Sequence, residues 1–387
     1  MRLIDSTDAK KGSYLPPEEI TEEITERDER SFFEITSTEL NPDQIQRIKT
    51  PPHVFPREST VIAIHWHPEF VPMDLISDRI NNTFPDLKTQ LIIPTQHNVL
   101  MSYNGFHGVE VDCYSKAFNQ KVQLLFHFES SKLEKADKFK SMLAYTFKYR
   151  SSQLFDFINT IIQPAEERLE LAARNTGADN TLIHFVVLNV KKVHNMITKY
   201  QDQVPEVMIK NKLLRNFFDT LRPIYGNGFI NRAQAFLNAV KLIVKSEFPL
   251  QYFYRTREMI EEVRSIGGAI VIPHPEQFWP ILLADYDVDG IEVWNPQSRK
   301  YTEFLISVID KKNIQNMRSD RRLLVLMGDD THMGEKIKEP EIQDKAKAAR
   351  EIGVQSAWED FSIRKRLILA NMSKLSILSE YKERIMS

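Results

Sequence analysis

LLVLMGDDTH, residues 323–332, joins a run of five apolar residues to two carboxylates and an imidazole. The apolar run at 323–327 predicts a buried strand, because a strand covered on both faces is apolar throughout instead of alternating. Asp329, Asp330 and His332 follow at the end of that strand. Their position raises the question of what these side chains would bind.

Six further apolar runs predict buried strands of the same kind. Helical periodicity separates several of them: in 255–268, Met259, Ile260, Val263 and Ile266 share one face and two glycines end the helix. Strands that alternate with helices predict parallel strands and an α/β fold. The six runs are residues 61–64, 90–94, 108–113, 121–128, 268–273 and 290–294.

Two segments do not follow this alternation. Residues 1–58 are polar and interrupted by prolines, which predicts an N-terminal arm or a short helical cover. Residues 131–255 are mostly helical in pattern, which predicts an inserted cap between two parts of the main domain, 59–130 and 256–387. Residues 181–190, TLIHFVVLNV, fit either a strand or a helix, and their periodicity does not decide.

Composition and charge argue against several classes of protein. The 387 residues are 42% apolar and 27% charged, ordinary values for a globular protein with a sizeable core. The net charge of −2 gives no overall electrostatic footprint for nucleic acid, and no apolar stretch approaches the roughly 20 residues that span a bilayer. With one cysteine, Cys113, and no signal-peptide pattern, we expect a soluble cytoplasmic protein. The sequence does not fix its oligomeric state.

Histidines and acidic residues recur within or just after the predicted strands. His65 and His67 lie two apart in an extended segment, so both imidazoles can face the same side. In a parallel barrel the carboxyl ends of all strands open on one face, so ligands spread along the chain would converge there. We therefore predict one metal centre built from His65, His67, His97, Glu110, His127, His274, Asp330 and His332.

A set rich in histidine with a few carboxylates suits zinc, manganese or iron. A carboxylate such as Glu110 can bridge two ions, because each of its oxygens can bind one of them. Two divalent ions about 3.5–4 Å apart polarise a phosphoryl oxygen and generate hydroxide at neutral pH. The predicted centre therefore indicates a multinuclear hydrolase.

At this point the motifs, taken together and in order, resemble those of the PHP (polymerase and histidinol phosphatase) family. The most specific stretch is SIGGAIVIPHP at 265–275, which is similar to the family's GG and AHP segment. The others are HWH at 65–67, TQHN at 95–98, GVEV at 108–111, GIEVWN at 290–295 and GDDTH at 328–332, similar to its HxH, TDHN, glutamate, GIEVYN and GSDxH motifs.

The resemblance implies a distorted, TIM-like (β/α)7 barrel, two or three divalent metal ions and the hydrolysis of phosphoesters. Glu292 in GIEVWN would support the ligands without binding an ion itself. Carried over motif by motif, the first ion would take His65, His67, Glu110 and Asp330, the second Glu110, His127 and His274, and a third His97 and His332.

The long insertion before residue 265 resembles the capped branch of that family. Members of that branch remove phosphate from nucleotides or degrade short RNA. The implied substrate is therefore a small phosphorylated metabolite, such as a nucleotide, or a short oligonucleotide.

Two departures from the family pattern weaken the prediction of a third ion. Gln96 stands where the family usually has aspartate, and an amide supplies no negative charge to polarise the imidazole of His97. The segment after His67 also lacks the family's further ligand in register. Asp74 and Glu69 are the nearby candidates to replace it.

The predicted mechanism is a one-step hydrolysis by metal-activated hydroxide, without a protein nucleophile, because Cys113 lacks the sequence context of a catalytic cysteine. Arg299, just after the strand at 290–294, is the candidate for phosphate binding.

Two alternatives to this function stay open. One is a catalytically inactive metal-binding PHP module with a regulatory or docking role, and the other is hydrolysis of amide or other C–N bonds on a related metal barrel.

Overall fold

The computed structural model describes residues 21–315, 321–340 and 343–387. Residues 1–20 of the predicted arm lie outside this described part. The chain divides into two compact units. We call them the helical unit, Met1–Thr38 and Tyr149–Phe248, and the strand unit, Glu39–Lys148 and Pro249–Ser387.

The strand unit contains all the strands that the structure describes, and every predicted apolar run contributes one. The strands are β1 Thr60–Ala63, β2 Trp66–His67, β3 Thr89–Ile92, β4 Met101–Tyr103, β5 Phe106–Ser115, β6 Gln120–Glu129, β7 Ala269–Ile272, β8 Gly290–Trp294, β9 Leu324–Met327 and β10 Thr331–His332. The helices are α2 Pro42–Lys49, α3 Met73–Thr83, α4 Asp137–Phe147, α11 Thr256–Ser265, α12 Thr302–Gln315, α13 Met333–Lys336, α14 Lys345–Ala348, α15 Phe361–Leu369 and α16 Lys374–Met386.

These elements confirm the α/β class but not the expected parallel arrangement. β1 pairs with β3 and β10 with β2, both in parallel, and a third sheet has the order β4-β5-β6-β7-β8-β9. In that sheet β4 to β7 pair antiparallel and only β7-β8-β9 pair in parallel. Residues 116–119 join β5 to β6, and so short a connection makes a hairpin, since a parallel crossover needs a dozen residues or more. The described strands form three sheets that do not close into a barrel.

Backbone hydrogen bonds link the three sheets where the predicted site residues lie. The amide of Asp330 donates to the carbonyl of His65 at 2.9 Å. His97 forms a bridge with Glu110 of β5, and the pairing of β10 with β2 places His332 opposite His67. Residues far apart in sequence are therefore held side by side through their main chains.

A buried charge cluster lies before β8. Asp289 is fully buried and accepts a hydrogen bond from the amide of Ile270 at 2.7 Å. Its carboxylate also pairs with Arg264 at 2.7 Å, Arg321 at 2.8 Å and Arg384 at 3.5 Å. Because a buried carboxylate is costly without partners, these arginines stabilise the Asp289 carboxylate inside the strand unit.

The helical unit has no strand among its described residues. Residues 181–190, which fit either a strand or a helix, belong to a helix in which Leu182, Phe185, Val186 and Asn189 are buried at helical spacing. Within the described ranges, every helix is too short or too polar to span a bilayer. The helices are α1 Glu26–Thr36, α5 Tyr149–Ile162, α6 Glu166–Thr176, α7 Asn180–Lys199, α8 Lys212–Thr220, α9 Arg222–Tyr225 and α10 Asn227–Glu247.

The boundaries of the two units differ from the expected insertion at 131–255. α4 belongs to the strand unit, where Phe139 packs against Phe126 and Phe128 of β6. Part of the predicted arm belongs to the helical unit instead, because Asp28 of α1 pairs with Lys192 of α7 at 2.9 Å.

Candidate metal centre

Seven of the eight predicted ligands meet in one cluster of the strand unit. They fall into three overlapping groups, and in each group the ligand atoms lie within 4.8 Å of one another. The groups are His65, Glu110 and His274; His65, His67 and Asp330; and His67, His97 and His332. Because His65 and His67 each belong to two groups, the three groups form one continuous cluster.

The spacing of the ligand atoms fits a cation with bonds of about 2.1 Å, because neighbouring ligands around a tetrahedral ion are then about 3.4 Å apart. Oδ1 of Asp330 lies 3.5 Å from Nε2 of His67 and 3.8 Å from Nε2 of His65. The carboxylate of Glu110 lies 3.8 Å from Nε2 of His65 and 3.7 Å from Nε2 of His67. These distances are too long for hydrogen bonds and suit atoms that share an ion.

The two oxygens of Glu110 face different neighbours. Oε1 lies 3.1 Å from Nε2 of His274, and Oε2 lies 2.5 Å from Nδ1 of His97. Burial raises the pKa of Glu110, but the charge of His97 and the hydrogen bond from His274 outweigh it and hold the pKa well below its usual range. An ionised carboxylate with its oxygens directed to two sides has the form of a bridging ligand.

Buried ring nitrogens without a partner support the fit of a cation. Nε2 of His65, both ring nitrogens of His67 and Nδ1 of His274 are buried and have no hydrogen-bond partner among the described residues. Buried polar atoms in proteins are nearly always hydrogen-bonded or bound to a ligand or ion. A divalent ion would satisfy several of these nitrogens at once.

Glu292 on β8 contacts His65 and orients its ring. This contact fits the supporting role predicted for Glu292. Its Oε2 lies 2.6 Å from Nδ1 of His65, which leaves Nε2 directed toward the cluster. Burial lowers the pKa of His65, but the charge and hydrogen bond of Glu292, with the charges of Asp330 and Glu110, outweigh it and raise the pKa to about 10. In the metal-free protein, a proton on His65 therefore supplies positive charge among three carboxylates.

His67 has the opposite character and is uncharged at neutral pH. Burial, together with the nearby charges of His332 and His97, lowers its pKa to about 3. The cluster is most open at this end, where the side chains of His97 and His332 are 25% and 21% exposed. A substrate would reach the cluster most directly from there.

Backbone strain is concentrated around the cluster. Four of the seven described non-glycine residues with positive φ are Glu69 (54°), Asn98 (56°), His274 (27°) and Asp330 (47°). Such conformations cost about 1–3 kcal/mol each and persist at sites where geometry matters more than local stability.

His127, which was predicted as a ligand, is not brought into the cluster. Its Nδ1 bonds the hydroxyl of Tyr381 at 2.6 Å and its Nε2 bonds the carbonyl of Ile64 at 3.0 Å. Burial lowers the pKa of His127 to about 3, so the ring is neutral and both of its nitrogens are used. His127 is therefore a structural histidine that ties β6 to α16.

Arg299 is not brought to the cluster either. It is exposed and lies over the ring of Trp294, 5.8 Å from the ring centroid. The arginine that contacts the cluster is Arg350, whose Nη1 lies 2.6 Å from Oδ2 of Asp330. Gln297 donates to the same oxygen at 3.1 Å. No feature of the sequence pointed to Arg350, because it lies 20 residues after Asp330 and outside every motif.

Of the two candidates near the third group, Glu69 is close and Asp74 is not. Oε1 of Glu69 lies 3.5 Å from Nδ1 of His332, whereas Asp74 is exposed in the first turn of α3. The amide oxygen of Gln96 accepts a hydrogen bond from the backbone of Glu69 at 3.1 Å. A Cβ at Gly334 would lie 1.8 Å from Oε2 of Glu69, so the glycine makes room for this carboxylate.

Asp329 has a structural role. Its carboxylate accepts hydrogen bonds from the amide of Gly353 at 2.9 Å and the amide of Thr331 at 3.2 Å. Burial raises its pKa to about 7 despite these bonds. Of the two adjacent aspartates in GDDTH, Asp330 faces the cluster and Asp329 holds the turn.

Comparisons with known proteins assign no family to this chain. No family model matches the sequence, and no curated protein matches it. A solved structure from Bifidobacterium adolescentis, named as a metal-dependent phosphoesterase, is 15% identical, with 81% of this chain and 97% of that chain covered and a TM-score of 0.37. Similarity at this level assigns neither a fold nor an activity.

Proposed function

We propose that this chain is a metal-dependent phosphoesterase, a divergent relative of the PHP family with a barrel-derived fold. The observation that carries the proposal is the convergence of seven predicted ligands in one buried cluster with unpartnered imidazole nitrogens. The order of the sequence motifs supports the same family. The proposed substrate is a small phosphoester, with nucleotides and short oligonucleotides as the first candidates.

The ligand set favours one central ion with four protein ligands, flanked by two positions that have fewer protein ligands. His65, His67 and Asp330, with an oxygen of Glu110, would hold the central ion. Nδ1 of His65 is engaged by Glu292, so this histidine can serve a single ion through Nε2.

The two flanking positions would have fewer protein ligands of their own. Glu110 and His274 would serve one, and His97 and His332 the other. Sites with few protein ligands keep positions for water and substrate, as catalytic sites do. When bound, such ions supply Lewis-acid polarisation of a phosphoryl oxygen and lower the pKa of water.

The test combines metal content with activity on purified protein. We expect elemental analysis to find at least one transition metal per chain, and Mn²⁺, Fe²⁺ or Zn²⁺ to support phosphate release that a chelator abolishes. The substrate panel should contain p-nitrophenyl phosphate, nucleoside monophosphates and 3′,5′-bisphosphates, short RNA, and lactone and amide substrates.

Two variants make the test specific to the cluster. Glu110→Gln removes the bridging charge and should lower the rate by about 100-fold or more, because several kcal/mol of charge stabilisation are lost. His184→Ala, at an exposed histidine of the helical unit, should leave the rate unchanged. Bound metal without phosphate release would instead favour the inactive metal-binding module, and cleavage of the amide or lactone substrates alone would favour the other hydrolase class.

A further inference from the structure

The two oxygens of Asp330 have separate surroundings. Oδ1 lies 3.4 Å from Nε2 of His332 and 3.5 Å from Nε2 of His67, on the side of the cluster. Oδ2 is engaged by the guanidinium of Arg350 at 2.6 Å and the side-chain amide of Gln297 at 3.1 Å. One oxygen is therefore directed to the imidazoles while the other is held by donors.

The same nitrogen of Arg350 also fixes the backbone of Asp330. Nη1 donates to the carbonyl oxygen of Asp330 at 2.9 Å as well as to its carboxylate. Asp330 has a φ of +47°, in the left-handed region that favours glycine. The arginine therefore constrains both the main chain and the side-chain direction of a residue in a strained conformation.

Arg350 is itself firmly held. It is 7% exposed, its amide donates to the carbonyl of Lys347 at 3.2 Å, and its own carbonyl accepts from the ammonium of Lys336. A buried guanidinium anchored at its backbone loses little further entropy on forming its hydrogen bonds. These contacts make Arg350 part of a preorganised support.

We propose that Arg350 is a positioning residue that makes Asp330 bind its cation through Oδ1 alone. A carboxylate free to rotate would chelate an ion with both oxygens and occupy two coordination positions. By engaging Oδ2, Arg350 and Gln297 leave one of those positions for water or substrate. This inference rests on the metal centre of the proposed function.

The experiment measures Co²⁺ binding and the visible absorption of bound Co²⁺, whose intensity falls as the coordination number rises. For Arg350→Met we expect a dissociation constant about 10-fold higher, as for other residues that orient metal ligands, and weaker absorption. Arg350→Lys should restore most of the affinity and the intensity, because a single nitrogen makes both contacts to Asp330. Gln297→Leu, at an exposed residue, should shift both measurements in the same direction by less.

The matched control is Arg384→Met. Arg384 is also a buried arginine paired with carboxylates, but its partners are Asp289 and Glu380. This variant should lower the unfolding temperature and leave the Co²⁺ spectrum unchanged.

Two results in a folded Arg350→Met protein would overturn the proposal. An unchanged spectrum and affinity would show that Arg350 does not control the coordination of Asp330. Tighter binding would show that Arg350 competes with the cation instead of orienting its ligand. If that variant does not fold, an unchanged spectrum and affinity in Gln297→Leu decide against the proposal. A wild-type protein that binds no Co²⁺ would overturn the metal centre as well, so the two failures are distinguishable.

Discussion

Glu292→Gln is the sharpest test of how the candidate centre is built. Glu292 accepts hydrogen bonds on both oxygens: Oε2 from Nδ1 of His65 at 2.6 Å, and Oε1 from Asn295 at 3.0 Å and the amide of His274 at 3.3 Å. A glutamine must turn its NH₂ group toward one of these donors, so one contact is lost whichever way the amide lies.

The expected magnitude follows from the lost hydrogen bond. A hydrogen bond to a charged group contributes about 1.5–3 kcal/mol, so we take about 2 kcal/mol, or about 30-fold in a dissociation constant. Removing the Glu292 charge makes the proton of His65 easier to lose, which favours ion binding. It also removes attraction for the bound ion, and this loss is larger because the ion carries two charges and the proton only one. Ion binding is therefore weaker on balance.

The assay is a competition titration of Mn²⁺ or Zn²⁺ against a metal indicator at neutral pH, with thermal unfolding in chelator to confirm folding. Glu303→Gln is the control, because Glu303 makes an exposed ion pair with Arg366 at 2.7 Å and should leave ion affinity unchanged. A dissociation constant of Glu292→Gln within twofold of the wild-type value would refute the reasoning.

Five further predictions follow from contacts described above. Gly328→Ala should reproduce the loss of ion affinity, because a Cβ there would lie 2.1 Å from the Glu292 carboxylate, and an unchanged titration would contradict this close packing. Ion uptake should release the proton of His65, so affinity should rise about tenfold per pH unit below about pH 10, and calorimetry in buffers of different ionisation enthalpy would count that proton. In the metal-free protein the raised pKa of His65 stabilises the fold fully below its unfolded value of about 6.5, and this stabilisation should be lost as the pH rises through about 10, as urea unfolding midpoints would show. Asp289→Ala should cost about 3 kcal/mol in urea unfolding, because it removes the fully buried carboxylate that Arg264 and Arg384 share and the acceptor of the Ile270 amide, and a cost below about 1 kcal/mol would contradict that role. His127→Gln should lower the unfolding temperature and keep the metal content, whereas His274→Gln should lower the metal content, and the reverse outcome would restore His127 as a ligand.

The sequence located the strands better than it located their directions. Each of the seven predicted apolar runs contains a strand, because continuous burial leaves a continuous apolar record. The parallel arrangement was wrong for the β5-β6 and β6-β7 pairs. The four residues that join β5 to β6 are too few for a crossover, so the length of that loop already excluded a parallel pair.

The site residues divide in the same way. Seven of the eight predicted ligands lie together, because motifs at the ends of neighbouring strands are delivered to one place by the backbone pairing itself. His127 looked the same in sequence but is engaged by Tyr381, which lies 254 residues further along the chain. A side chain's partners across the fold leave no mark beside it in the sequence.

Chemical identity and local spacing were therefore determined by the sequence: which imidazoles and carboxylates the chain has, and that they follow apolar strands. The tertiary structure alone decided which nitrogens stay without a partner, which arginine supports Asp330, and how the oxygens of Glu110 are divided. The physical reason is that strand formation depends on neighbours in the chain, whereas hydrogen-bond and charge partners are chosen by packing in space.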